Sequence, residues 1–88
     1  MEKWRIIFSK SGKQDWKTVS TSIYKNKVME LLSLIEIDPF KEPPSYKSLQ
    51  GDMKGAFSRK TNDQHRLVYR VDEVKRIVNV ILMWSHYE

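Results

Sequence analysis

The chain predicts an α+β fold: one strand, two helices, then three strands, with both helices packed on one face of an antiparallel-rich sheet. Three observations predict it. Branched and aromatic residues crowd positions 4–9, apolar residues recur at helical spacing over 24–35, and three apolar runs separated by turn residues follow position 55. The gaps between those last runs are too short for crossover helices, so the runs form a meander. Helices and sheet then make two layers around one core.

The first strand is Trp4-Arg5-Ile6-Ile7-Phe8-Ser9, where β-formers dominate. Ser11-Gly12-Lys13-Gln14 has the form of a capping box, which predicts a short helix turning Trp16 and Val19 inward. Ser20-Thr21-Ser22 interrupts it. In the second helix Tyr24, Val28, Leu31, Leu32 and Ile35 share a stripe, while Lys25, Lys27, Glu30 and Glu36 fall largely off it. Asp38-Pro39 ends this helix, because proline disfavours helical geometry in the residue before it. Pro39, Pro43, Pro44 and Gly51 predict a surface loop over 39–54, with one helical turn at 46–49. Strands are expected over 56–61, 65–72 and 76–86, joined by Asn62-Asp63 and by Asp72-Glu73-Val74-Lys75.

A chain of 88 residues is one small domain, 1–88. It has no cysteine, which excludes disulfides and thiolate metal sites and fits a reducing cytoplasm. No apolar run reaches the ~18 residues of a membrane span, and Met1-Glu2-Lys3-Trp4-Arg5 lacks a signal-peptide core. A soluble cytoplasmic protein with no membrane partner is expected. The net charge of +5 points to a polyanion or an acidic protein as partner, though a solvated basic surface carries the same charge. From 41 to 60 the cations Lys41, Lys47, Lys54, Arg59 and Lys60 outnumber the anions Glu42 and Asp52.

Two features bear on chemistry. The apolar run Ile77-Val78-Asn79-Val80-Ile81-Leu82-Met83 carries Trp84-Ser85-His86-Tyr87-Glu88 to the end of the sequence. The free pKa of histidine, roughly 6.5, makes His86 a candidate proton donor or acceptor. A pair that merely caps the core would look the same in sequence. In the strand over 65–72, alternation sets Leu67, Tyr69 and Val71 on the side of His65, and Arg66, Val68 and Arg70 on the other. Such cations line a phosphate-binding groove or remain simply solvated.

The stretch Ser58-Arg59-Lys60-Thr61-Asn62-Asp63-Gln64-His65-Arg66-Leu67-Val68-Tyr69 closely resembles the Ser-Arg-Arg-(Ile)-Asn-x-x-His-Arg-Leu-Val-Tyr segment of YoeB/Txe toxins. Trp-Ser-His-Tyr near the end resembles their terminal His-Tyr, and Asp38-Pro39-Phe40 and the length also match. The resemblance implies a RelE-like fold and the toxin of a type II toxin–antitoxin pair. Such a toxin is an mRNA interferase that cuts mRNA in the ribosomal A site without metal or cofactor. Its protein partner would be a YefM/Axe-like antitoxin, acidic and folding over the toxin.

Metal-free RNA cleavage needs a base for the 2′-hydroxyl, an acid for the departing 5′-oxygen and cations for the phosphorane. The resemblance assigns His86 as the acid, Tyr87 as its aid in positioning or proton transfer, and Arg66 as the ligand of the scissile phosphate. It offers Arg59 and Lys60 as further phosphate contacts, and Lys54 in the same basic segment. Lys60 departs from the family arginine and loses the bidentate fork while keeping the charge. The larger departure is at the base. The family glutamate stands two residues ahead of a leucine, and here that position is Lys47, before Ser48-Leu49-Gln50-Gly51. Lysine has a free pKa of about 10.4 and is a poor base unless its surroundings lower that value. RelE relatives use lysine in this region, so Lys47 or Lys54 is the expected substitute, with Glu42 behind them. The same departure admits a second reading, a YoeB-like binder of ribosome or antitoxin with weak or no nuclease activity. A DNA-binding reading finds no helix with a basic face at helix-turn-helix spacing.

Overall fold

The computed structural model describes residues 3–62 and 64–84. Its elements are β1 (Arg5–Phe8), α1 (Lys10–Val19), α2 (Lys25–Ile37), β2 (Tyr46–Ser48), a 3-10 turn (Gly51–Met53), β3 (Ala56–Lys60), β4 (Arg66–Asp72) and β5 (Ile77–Leu82). The strands form one sheet in the order β1-β5-β4-β3-β2. Neighbours from β2 to β5 pair antiparallel, whereas β1 runs parallel to β5. The predicted α+β fold with an antiparallel-rich sheet is therefore observed, with an added edge strand.

Both helices cover one sheet face. Val19 of α1 and Val28, Leu31 and Ile35 of α2 bury against Leu67, Tyr69, Val78, Val80 and Met83. At roughly 1.5–3 kcal/mol for each large aliphatic side chain buried, this stripe-on-strand contact dominates the stability of so small a fold. Directly opposed residues share a face. Leu67, Tyr69 and Val78 thus alternate with Arg66, Val68 and Asn79, which belong to the other, helix-free face.

Three local expectations are corrected. The first helix starts before Ser11: Ser9 is its N-cap, and the Ser9 hydroxyl accepts from the Gly12 N–H at 3.1 Å. Ser9 also donates to the Ile81 carbonyl at 3.3 Å, tying the cap to β5. At Gly12 the helix presses on that strand so closely that a Cβ would stand 2.5 Å from the Val80 carbonyl oxygen. Only glycine fits there.

The helical turn expected at 46–49 is instead strand β2, with Tyr46, Lys47 and Ser48 opposite Arg59, Ser58 and Phe57. The 3-10 turn lies further on, at Gly51–Met53. Pairing with the edge of β3 outweighs local turn propensity, because the Tyr46 ring packs edge-on against Phe57 at 5.6 Å and tilted against Phe40 at 6.0 Å.

The last strand stops at Leu82 rather than continuing through Trp84. The N–H groups of Met83 and Trp84 turn to Asp15 Oδ2, at 2.9 and 3.3 Å. His86 and Tyr87, and Asp63 of the turn, lie outside the described residues.

Candidate functional site

The helix-free face collects the cations. Lys60 stands directly opposite Arg66, and Lys47 opposite Ser58, which pairs in turn with Val68. Lys47, Ser58, Lys60, Arg66 and Val68 consequently project from one side of three adjacent strands. Lys47 lies two strands from Val68, and Arg66 stands two residues further along β4; with strands about 4.8 Å apart and a rise of about 3.3 Å per residue, Lys47 and Arg66 are roughly 12 Å apart, within reach of one nucleotide by two long side chains. The Arg66 guanidinium lies 3.5 Å from the Ser58 hydroxyl through Nη1. Among the described residues, the face positions nearest Arg66 (Lys47, Ser58, Lys60, Val68 and Arg70) carry no carboxylate.

Two of the expected phosphate contacts lie elsewhere. Arg59 is on the opposite face, fully buried. Its Nε donates to the Tyr69 hydroxyl at 3.0 Å, Nη1 to the Pro44 carbonyl at 2.6 Å, and Nη2 to the Pro39 and Lys41 carbonyls at 3.0 and 2.8 Å. The Tyr69 hydroxyl in turn donates to the Pro39 carbonyl at 2.8 Å. A guanidinium so occupied offers no fork to phosphate, which corrects the expectation for Arg59. Its work is to fold the 39–44 loop onto the sheet ahead of the strand that carries Lys47. Burial raises the Tyr69 phenol above its ordinary value of 10.0, only partly opposed by Arg59. The phenol is therefore a stable neutral donor. Lys54 is exposed, but it precedes β3 and sits at the end away from Lys60. Its carbonyl accepts from Arg70 Nη1 at 2.9 Å, so Arg70 braces that turn.

The end of β5 lies beside the start of β4. Leu82 pairs with Val68, and two residues on Trp84 meets His65. The Trp84 indole stacks on the His65 imidazole with centroids 4.1 Å apart and planes at 17°. The Nδ1–H of His65 donates to the Trp84 carbonyl. Tyr24, at the head of α2, closes the cluster at 5.5 Å from His65 and 5.9 Å from Trp84. His65 thus faces the core side, as alternation predicts, and His86 follows two residues after an anchored Trp84.

A family described as the YoeB-like toxin of bacterial type II toxin-antitoxin systems matches residues 8–87. The chain belongs to the YoeB toxin family. Toxin YoeB of Streptomyces coelicolor is 32% identical over 77 residues, covering 84% of this chain and 90% of that one. Toxin RelK of Mycobacterium tuberculosis is 42% identical over 50 residues, covering 54% and 59%. Among solved structures, the YoeB/ParE toxin from Agrobacterium tumefaciens superposes with a TM-score of 0.85 at 27% identity, over 94% of this chain and 99% of that one. YoeB in the YoeB–YefM complex from Staphylococcus aureus does so with 0.80 at 28% identity, over 96% and 98%. This chain is accordingly a toxin-family member of the RelE superfamily.

Within this YoeB-family fold, residue-by-residue reading overlooked Asp15, Ser58 and the anchoring role of His65. An aspartate midway along an amphipathic helix reads as solvated surface, and nothing local reveals that two strand-end amides meet it. Ser58 was legible only as part of the motif. Among the described residues no cluster of three metal-ligating side chains occurs, and no helix is long and apolar enough to cross a membrane.

Proposed function

We propose that this YoeB-family toxin is a ribosome-dependent mRNA endoribonuclease that cuts in the ribosomal A site by acid–base catalysis. The observation that carries the reading is the cluster of cations on the helix-free face, with Arg66 opposite Lys60 and Lys47 opposite Ser58. In this mechanism the 2′-oxygen attacks the adjacent phosphorus while a base takes its proton. The phosphorane charge is held by Arg66 and Lys60, and the bond to the 5′-oxygen breaks as His86 protonates that oxygen. The products are a 2′,3′-cyclic phosphate and a 5′-hydroxyl. Tyr87 assists by orienting the phosphate or relaying the proton. Lys47 fills the position of the base. Electrostatic stabilisation of the charged intermediate is the larger contribution, because fixed cations need no reorganisation as charge develops.

A second reading rests on one specific observation: a lysine, not a carboxylate, stands opposite Ser58. On that reading the protein occupies the ribosome or its antitoxin and cuts weakly. Ribosome-dependent cleavage with wild type, His86→Ala, Arg66→Ala and Lys47→Ala separates the two. New mRNA 5′ ends that vanish in His86→Ala support the nuclease. Translation arrest without new ends supports the binder.

The protein partner we infer is an acidic YefM-like antitoxin. Support comes from the YoeB–YefM complex of the Staphylococcus aureus relative and from the net charge of +5. The toxin's action is proposed to take place in the cytoplasm, where translating ribosomes are.

A further inference from the structure

Beyond the cationic cluster, the helix-free face continues into a cleft of about 590 Å³ over β1, β5 and β4. Ile7, Ile77 and Asn79 form its floor, and Arg70 and Asp72 stand along its β4 side. The register brings them together: Ile7 and Arg70 both oppose Asn79, and Asp72 opposes Ile77. Two of the polar groups are held in place. Arg70 Nη1 donates to the Lys54 carbonyl at 2.9 Å, and Asp72 Oδ1 accepts the Lys75 N–H at 3.1 Å. A guanidinium carries five N–H donors and a carboxylate about four acceptor sites, so each keeps most of its capacity. Asn79 Oδ1 is buried and has no hydrogen-bond partner among the described residues. No bond to that oxygen locks the amide, which can turn either a donor or an acceptor towards a ligand.

Charge separates this cleft from the cluster at Arg66. In the cleft Arg70 and Lys75 are balanced by Asp72 and Glu73, whereas the positions nearest Arg66 are cationic or neutral. A phosphate gains little from a balanced site. A flat group with apolar faces and polar edges suits it better, its faces on Ile7 and Ile77 and its edges against Arg70, Asp72 and Asn79. A nucleobase has that chemistry, and arginine, asparagine and aspartate are side chains that read base edges. Arg66 and Arg70 lie on the same face of β4, about 13 Å apart at about 3.3 Å per residue. A strand whose phosphate lies at Arg66 therefore reaches the cleft with a neighbouring nucleotide. We propose that the cleft binds a base of the RNA whose backbone is held at Arg66, and that Arg70, Asp72 and Asn79 set the base preference. The inference rests on the nuclease reading above for the identity of the strand. Backbone contacts position such a strand, and base contacts specify it.

The test titrates the full chain with 2′-O-methyl tetranucleotides, varied one base at a time, and follows binding by NMR. The methyl group removes the attacking hydroxyl, so binding is read without cleavage. One position should discriminate between its best and worst base by about tenfold, the scale of one good side-chain contact to a base edge. Backbone amide signals of Ile7, Ile77 and Asn79 should shift on binding. Asn79→Ala and Asp72→Asn should each reduce the discrimination severalfold, whereas Arg66→Ala should weaken all tetranucleotides alike. Asp72→Asn keeps Oδ1 for the Lys75 N–H and turns only the other acceptor into a donor, so it decides the matter even if Asn79→Ala disturbs the sheet. Discrimination unchanged in Asp72→Asn overturns the proposal, as do shifts confined to the residues around Arg66 or the absence of binding. Ribosome-dependent cleavage separates this failure from that of the nuclease reading. Base-selective binding in the cleft by a wild type that cuts no mRNA would sink the nuclease and leave the base site standing. Cleavage with the same codon ranking in wild type, Asn79→Ala and Asp72→Asn would sink the base site and leave the nuclease.

Discussion

Arg59 Nε donates to the Tyr69 hydroxyl at 3.0 Å, and the same hydroxyl donates to the Pro39 carbonyl at 2.8 Å. Through this relay two adjacent strands hold down a proline-rich loop that has no ladder of its own. The guanidinium is also stacked over the Tyr46 ring at 5.1 Å. A motif position that looks like a phosphate ligand is a pillar of the fold.

Arg59→Ala is therefore expected to destabilise by roughly 3–5 kcal/mol, the scale of removing one member of a buried, charge-assisted network. Tyr69→Phe should cost about 1–3 kcal/mol, because it strands the Arg59 Nε–H and removes one of the two donors to the Pro39 carbonyl. Urea unfolding measures both. An Arg59→Ala variant as stable as wild type, with impaired RNA binding, would reverse this assignment.

Tyr69 also sets an alkaline limit. Its folded-state pKa is raised above 10.0 by burial, so above that pH the unfolded chain gives up a proton that the folded chain retains. Stability from this group is complete below pH 10 and declines as pH rises through and beyond it. Thermal unfolding between pH 8 and 11 should show the decline in wild type and a shallower one in Tyr69→Phe.

Arg66 and Lys60 stand on the helix-free face, so their loss should spare the fold. Arg66→Ala is expected to reduce cleavage by roughly 100-fold or more, on the scale of losing one preorganised donor to a charged intermediate. Arg66→Lys should recover only part, since the ammonium cannot grip two phosphate oxygens at once. Lys60→Ala should do less harm. Single-turnover cleavage with melting temperatures alongside checks the set, and a cleavage loss that tracks the melting temperature would count against a direct role.

Gly12→Ala tests the packing of α1 on β5. The added methyl would meet the Val80 carbonyl oxygen at 2.5 Å, so helix or strand must shift. Alanine's helix propensity, better by about 1 kcal/mol, favours the variant, but overpacking costs about 1–3 kcal/mol. Net destabilisation is expected in denaturant titration. A stabilised variant would show that the contact relaxes freely.

Association with an acidic antitoxin should be steered by charge. The on-rate is expected to fall steeply between low and high salt, because the Debye length shrinks to roughly 8 Å at physiological ionic strength. Stopped-flow mixing across a salt series measures it, and a flat response would locate the binding energy in apolar contacts instead.

The sequence by itself determined the helices and the meander, since α2 has a clear 3.6-residue stripe and β4 a clear alternation. The same alternation separated Arg66 from His65, and the motif with the terminal His-Tyr identified the family. These signals are local, carried by residues a few positions apart. Only the tertiary structure decided the rest. Whether Arg59 faced phosphate or core depended on three carbonyls and a phenol that the loop and β4 bring to it. Whether 46–48 became helix or strand depended on the free edge of β3. Asp15 acquired a role only when the end of β5, 68 residues away in sequence, left its Met83 amide without a ladder partner. A buried polar group must find a partner wherever the fold supplies one, and that partner is set by proximity in space rather than by spacing along the chain.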